Sequence, residues 1–166
     1  YAKVSLTAHP LLYGLPLAYE SIAKQGHVIL VEGYFDVIAM HQAGITNVVG
    51  SMGTAITENQ INAIARITKN VILFLDSDKA GTNAMIRCIK DLYTAGINVA
   101  VCIIENNMDP ADLCKAMNFD STAIGMEIKS HTKQGIELVI NSSVERYENI
   151  ATIERTRALR TAMPII

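Results

Sequence analysis

Four short apolar runs, each free of charged residues and each followed by a helical pattern, constrain this chain more than any other feature. They are His27-Val28-Ile29-Leu30-Val31, Asn47-Val48-Val49-Gly50, Val71-Ile72-Leu73-Phe74-Leu75 and Asn98-Val99-Ala100-Val101-Cys102-Ile103-Ile104. All are rich in β-forming residues and continuous rather than alternating. A strand that is apolar on both sides must be covered on both faces, which is the situation of a parallel sheet between helical layers.

The segments between these runs carry helix signals. Tyr34 to Ala43 ends at Gly44, a residue suited to a helix C′ position. Thr57-Glu58-Asn59-Gln60 has the spacing of a capping box, and Ile61, Ile64, Ala65 and Thr68 follow on one helical face. Thr82 to Ala95 places Met85, Ile86, Ile89 and Leu92 on one side and stops at Gly96. The alternation predicts an α/β domain: a parallel sheet of about four strands, right-handed crossovers and helices on both faces.

The two ends read differently. Residues 1–26, with Pro10, Gly14 and Pro16, form a lead-in containing a short helix over Leu17 to Lys24. The α/β domain is expected over 27–118, closing with a helix from Ala111 to Met117. Residues 119–166 are expected to be part of a small helical subdomain, with helices Ile124 to Ile140 and Ser143 to Ala162 joined around Asn141-Ser142. The missing initiator Met and the end at Pro164-Ile165-Ile166 point to a piece of a longer protein.

Composition removes several function classes. With 166 residues, half of them apolar, the chain can bury one real core. No apolar run approaches the roughly 20 residues needed to cross a bilayer, and Tyr1-Ala2-Lys3-Val4 does not open a secretory signal, so a cytoplasmic location is expected. Cys88, Cys102 and Cys114 form no Cys-x-x-Cys pair, and His9, His27, His41 and His131 have no ligand spacing with them. Buried reduced thiols are expected rather than a zinc site. A net charge of −2 argues against extensive contact with a phosphate backbone.

In an open parallel sheet, ligands gather beyond the carboxyl ends of the strands. The segments beyond those ends are acidic here. Glu32-Gly33-Tyr34-Phe35-Asp36 follows the first strand and Ser51-Met52-Gly53-Thr54 the second. Asp76-Ser77-Asp78-Lys79-Ala80-Gly81 follows the third, and Glu105 and then Asp109-Pro110-Ala111-Asp112 the fourth. Asp76 and Asp78, two residues apart, project to the same side of an extended backbone. If Glu32 ends a neighbouring strand, three like charges converge, and a cation relieves their repulsion. Carboxylate oxygens select hard ions, so Mg²⁺ or Mn²⁺ is the expected occupant, with Asp36 and Asp109 as accessory ligands. Gly33 and Gly53 allow close backbone approach, and Lys79 offers a charge to a phosphate. Singly, each feature has a structural reading: an Asp as helix N-cap, Asp109-Pro110 as a helix-starting turn, Tyr34 and Phe35 as core residues rather than base-stacking ones, His41 as a packed or exposed structural histidine.

Taken in order, Glu32-Gly33-Tyr34-Phe35-Asp36-Val37, Ser51-Met52-Gly53-Thr54 and Asp76-Ser77-Asp78-Lys79-Ala80-Gly81 resemble the TOPRIM domain of bacterial DnaG-type primases. Leu12-Tyr13-Gly14 and Asp109-Pro110-Ala111-Asp112 resemble further primase segments, although Ala111 stands where many relatives carry a second Asp. The resemblance implies that Glu32, Asp76 and Asp78 hold the metal and do the catalytic work. It implies metal-dependent synthesis of short RNA primers from ribonucleoside triphosphates on single-stranded DNA during replication. It also implies a zinc domain and a template-gripping basic subdomain outside this chain, and a replicative helicase as partner through a C-terminal region also outside it. Two other readings stand beside this one. A TOPRIM nuclease or topoisomerase fragment would cleave phosphodiesters, the topoisomerase with a Tyr on a separate domain. A non-catalytic receiver-like Mg²⁺ module would need its acidic pair after the first strand, the reverse of the order found here.

Overall fold

A computed structural model describes residues 12–53, 55–75, 79–104, 108–144, 148 and 152. The elements run α1 (Leu15–Gln25), β1 (Val28–Val31), α2 (Tyr34–Gln42), β2 (Val48–Gly50), α3 (Glu58–Ala65), β3 (Asn70–Leu73), α4 (Lys79–Thr94), β4 (Asn98–Cys102), α5 (Pro110–Ala116), α6 (Ser121–Ser130) and β5 (Thr132–Gln134). A further helix, α7, covers residues 135–144. The strands form one sheet in the order β2-β1-β3-β4-β5. Its first four strands are parallel, as expected, with Leu30 opposite both Val49 and Leu73.

Alternate residues of each strand feed two separate cores. Val28 and Leu30 join Val49, Val71, Leu73, Val99 and Val101 on the face covered by α1, α3 and α4. Ile29 and Val31 join Val48, Phe74 and Cys102 on the face covered by α2, α5 and α6. All four residues of β1 are buried, which is why that run shows no alternation.

Residues 12–26, read from sequence as a lead-in, contribute to the first core through Leu12, Ala18 and Ile22. Tyr13 exchanges two backbone hydrogen bonds with Gly50, at 2.9 and 3.0 Å, and so occupies the open edge of β2. Gly14 then turns the chain at φ +79°, where a Cβ would meet Val37 Cγ1 at 2.9 Å. The Thr57 capping box forms as its spacing predicts: Thr57 N–H donates to Gln60 Oε1 at 2.9 Å, and Gln60 N–H to Thr57 Oγ1 at 3.3 Å.

Two expectations are corrected. The helix expected over Ile124 to Ile140 is two helices, α6 and α7, separated by β5. β5 pairs antiparallel with β4, Cys102 opposite Thr132 and Ala100 opposite Gln134, and supplies partners to an edge otherwise left with open N–H and C=O groups. Thr132-Lys133-Gln134 has no apolar residue, so a strand there leaves no periodic signal. Gly135 then lets the chain turn against β4, its backbone too close to Val99 O for an unstrained side chain at 3.0 Å. The expected joint at Asn141-Ser142 lies inside α7, where the hydroxyls of Ser142 and Ser143 donate to Val139 O. Most of the helix expected over Ser143 to Ala162 lies outside the described residues.

The three cysteines are free and buried, as expected for structural thiols. Burial pushes Cys88 and Cys102 up to about 12 and Cys114 up to about 11. In the folded chain all three stay neutral through the physiological range. At about pH 8 iodoacetamide should therefore leave the native thiols intact and modify all three once urea unfolds the chain; fast labelling of the native protein would contradict their burial. Gly14→Ala should destabilise the fold by about 1–3 kcal/mol in urea unfolding, because positive φ and the Val37 contact both oppose a Cβ. An unchanged midpoint would show that the turn can relax.

Candidate metal centre

Parallel pairing carries the ends of β1, β2, β3 and β4 to one edge of the sheet. β1 lies between β2 and β3, so the chain after β1 emerges with neighbours on both sides. Leu30 is opposite Leu73, and the ladder runs one bond further, with Phe74 N–H donating to Leu30 O at 2.9 Å. Glu32 follows Val31 directly and is half-buried. Its carbonyl accepts from Met52 N–H at 3.0 Å, and Ser51 N–H donates to Val31 O at 3.0 Å, tying the Ser51-Met52-Gly53 turn to the end of β1. Asp76, Ser77, Asp78, Thr54 and Glu105, and the Lys79 side chain, lie outside the described residues; the Lys79 backbone opens α4.

The turn after β2 is braced from beneath. Ser51 is buried, its hydroxyl donating to Gly53 O at 2.8 Å, and the buried Gln60 carboxamide donates to Ser51 O at 3.0 Å. The Gln60 that completes the capping box of α3 therefore also holds this turn. Met52 takes a left-handed φ of 61°, uncommon for a side chain of its size. Gly50 sits in a tight place, where a Cβ would approach Val37 Cγ2 at 3.2 Å and Gly33 O at 3.4 Å. Gly53 is exposed, and a Cβ there would meet nothing within 4 Å.

Asp36 and Asp109 both cap helices. Asp36 Oδ2 accepts from Gly33 N–H at 3.1 Å at the start of α2. Asp109 Oδ1 accepts from Asp112 N–H at 2.6 Å at the start of α5. Asp112 is exposed and paired with Lys115 at 3.0 Å. The charges of both capping carboxylates act on one buried thiol. The Cys114 thiol is raised first by burial, then by the charge of Asp36, then by that of Asp109, so both lie within Coulomb reach of one sulfur. Among the described residues no group of three or more His, Cys, Asp or Glu side chains is assembled for a metal.

His41, expected as a packed or exposed structural histidine, bonds Val48 O through Nε2 at 2.9 Å and locks α2 to β2. Tyr34 and Phe35, expected in the core, are exposed instead. With Ile38 they fall on the outward face of α2, and the inward positions go to Val37 and Met40. Tyr13 adds a third exposed ring, centroid 6.3 Å from that of Tyr34. This aromatic cluster was missed in the sequence because Tyr13 and Tyr34 meet only through the pairing of Tyr13 with β2.

The sequence profile of the Toprim-like family matches residues 29–114, just over half of the chain. The DNA primase of Aquifex aeolicus is 37% identical over 144 residues, which is 87% of this chain and 26% of that protein. The chain thus spans about a quarter of the length of this curated relative. Its fold matches the solved zinc-binding and RNA polymerase domains of the Aquifex aeolicus primase, with a TM-score of 0.70 over 83% of this chain and 34% of that one, at 37% identity. It also matches a DnaG primase catalytic domain solved with single-stranded DNA, at a TM-score of 0.67 and 30% identity over 81% of this chain and 43% of that one. The chain belongs to the Toprim-like family, and over most of its length it is homologous to the bacterial DNA primases.

Proposed function

We propose that this chain is the metal-binding catalytic core of a DNA primase, a nucleotidyltransferase that makes short RNA primers on single-stranded DNA. The observation that carries the reading is the direct pairing of β1 with β3. It supports taking Glu32, after β1, and Asp76 and Asp78, after β3, as one acidic centre. The homology to primases and the relative solved with single-stranded DNA favour synthesis over phosphodiester cleavage or signalling.

The donor set fits a hard divalent cation. Glu32 and the capping Asp36 and Asp109 offer carboxylate oxygens, whereas the Cys114 thiol beside the latter two is neutral. Glu32, Asp76 and Asp78 would hold Mg²⁺ or Mn²⁺, and Asp36 and Asp109 would extend the site. The bound ion supplies charge neutralisation on a triphosphate and on the leaving pyrophosphate. The chain's own groups orient the reactants. Lys79, in the first turn of α4, would meet a phosphate oxygen, and Gly33 and Gly53 would allow backbone N–H groups to come close to it. A primer 3′-hydroxyl would then attack the α-phosphate with pyrophosphate leaving. No side chain needs to become covalently attached.

The complete activity belongs to a longer protein. In this reading the basic grip on the template's phosphates, any zinc site and the helicase contact lie on segments outside these 166 residues, which accords with the net charge of −2. No helix among the described residues is long and apolar enough to cross a membrane, and a cytoplasmic setting fits the proposed role in replication.

Isothermal calorimetry should detect Mn²⁺ binding to this chain and lose it in the Asp76→Ala/Asp78→Ala double variant; equal binding in the two would sink the site assignment. In the longer parent, Glu32→Gln should lower primer synthesis on single-stranded DNA by about a hundredfold or more, as expected when several kcal/mol of transition-state charge stabilisation is removed. Wild-type priming in that variant would overturn the catalytic role of Glu32.

A further inference from the structure

The exposed aromatic cluster at the start of α2 has no role in the chemistry above. Tyr13 is 42% exposed, Tyr34 44% and Phe35 67%. Tyr34 and Phe35 lie against each other with centroids 4.4 Å apart and planes tilted by 39°, and Tyr13 meets Tyr34 edge-on. Ile38 and Leu17 continue the apolar surface, which borders a hollow of about 380 Å³ lined by Tyr13, Leu17, Val37, Ile38 and His41. A contiguous exposed patch of large apolar side chains marks a surface that meets something.

Charge and position select the occupant. Neither Lys nor Arg lines the hollow, and Glu32 and Asp36 stand in the same segment as the rings. Such a surface offers a phosphate no cation and gives neutral, flat groups an apolar face. Unpaired bases have that character, and stacking on aromatic faces is indifferent to which base arrives. The patch is continuous with the acidic edge, because Tyr34 is two residues beyond Glu32 and Tyr13 is bonded to the end of β2. We propose that Tyr34 and Phe35, backed by Tyr13, form a stacking platform for unpaired bases of the single-stranded DNA template beside the metal centre. The proposal rests on the primase reading and adds positioning residues to it. The rings hold the bases while the strand's phosphates face away from the acids.

The test uses the full-length parent protein and a fluorescein-labelled single-stranded oligodeoxynucleotide, read by anisotropy at fixed Mg²⁺. Tyr34→Ser/Phe35→Ser should weaken binding about tenfold or more, the scale of one or two lost base stacks. Tyr34→Phe should bind as the wild type does, since stacking uses the ring face and not the hydroxyl. An abasic oligonucleotide of the same length should bind the wild type and the double Ser variant equally. The proposal is overturned by unchanged affinity in a double variant with a native melting temperature, by an equal loss on the abasic strand, or by an effect confined to the KM for ribonucleoside triphosphates. Unchanged affinity is also the result expected if another protein segment covers the rings. Should the double variant melt early, Phe35→Trp serves in its place. The indole fluorescence that it adds over the wild-type parent should be quenched by the oligonucleotide; absence of quenching overturns the platform. The two readings fail separately. Glu32→Gln should lose priming and keep oligonucleotide affinity, whereas a parent that binds the oligonucleotide through the rings but makes no primer would refute the primase reading and leave the platform standing.

Discussion

Pairing of β1 on both of its edges is the constraint on which the rest of this molecule depends. Its three partners in β2 and its three in β3 fix the direction and register of both neighbours. Because all three strands are parallel, their carboxyl ends open on one side, and every connection must return over a face of the sheet. That requirement puts α2 on one face and α1, α3 and α4 on the other, and gives each face its own core. It also concentrates the polar groups beyond the strand ends at one edge. The acidic edge is thus a product of topology as much as of composition.

Several residues at this edge hold the local structure in more than one way. Gln60 closes the capping box of α3 and holds Ser51 O with its carboxamide. Asp36 and Asp109 cap α2 and α5 and bring two charges toward the same buried thiol. A capping carboxylate is already desolvated on one side and held by its helix, so a cation would meet an oriented ligand rather than a mobile one. Carboxylates placed this way repel one another, and a hard divalent ion relieves that repulsion best. The aromatic cluster adds a neutral surface next to the acidic one, and flat uncharged groups meet no repulsion there.

Legibility in the sequence tracked the range of the interactions. β1 was readable because four adjacent residues are all buried, and the capping box because its two bonds close within four residues. β5 was not, because Thr132-Lys133-Gln134 becomes a strand only through the open edge of β4. Tyr34 and Phe35 look like core residues in any window, yet with Ile38 they take the outward face of α2 and leave the inward face to Val37 and Met40. At the site, the order of acids was legible residue by residue. Which strand stood beside β1 was not, since the ends of β2, β3 and β4 offer equivalent backbone groups.

By itself the sequence determined the number and type of the four parallel strands, the caps of α3 and α5 and the acidic character of the segments after the strands. Each of these is set by residues within one turn or one strand of each other, where hydrogen bonding and side-chain periodicity act directly. Only the tertiary structure decided that β1 lies between β2 and β3, that Tyr13 covers the edge of β2, that a polar tripeptide becomes β5, and that three aromatic rings stay in solvent beside Glu32. Those outcomes depend on which backbone edge and which core face remain unoccupied after the other elements have packed, and no local stretch of sequence carries that information.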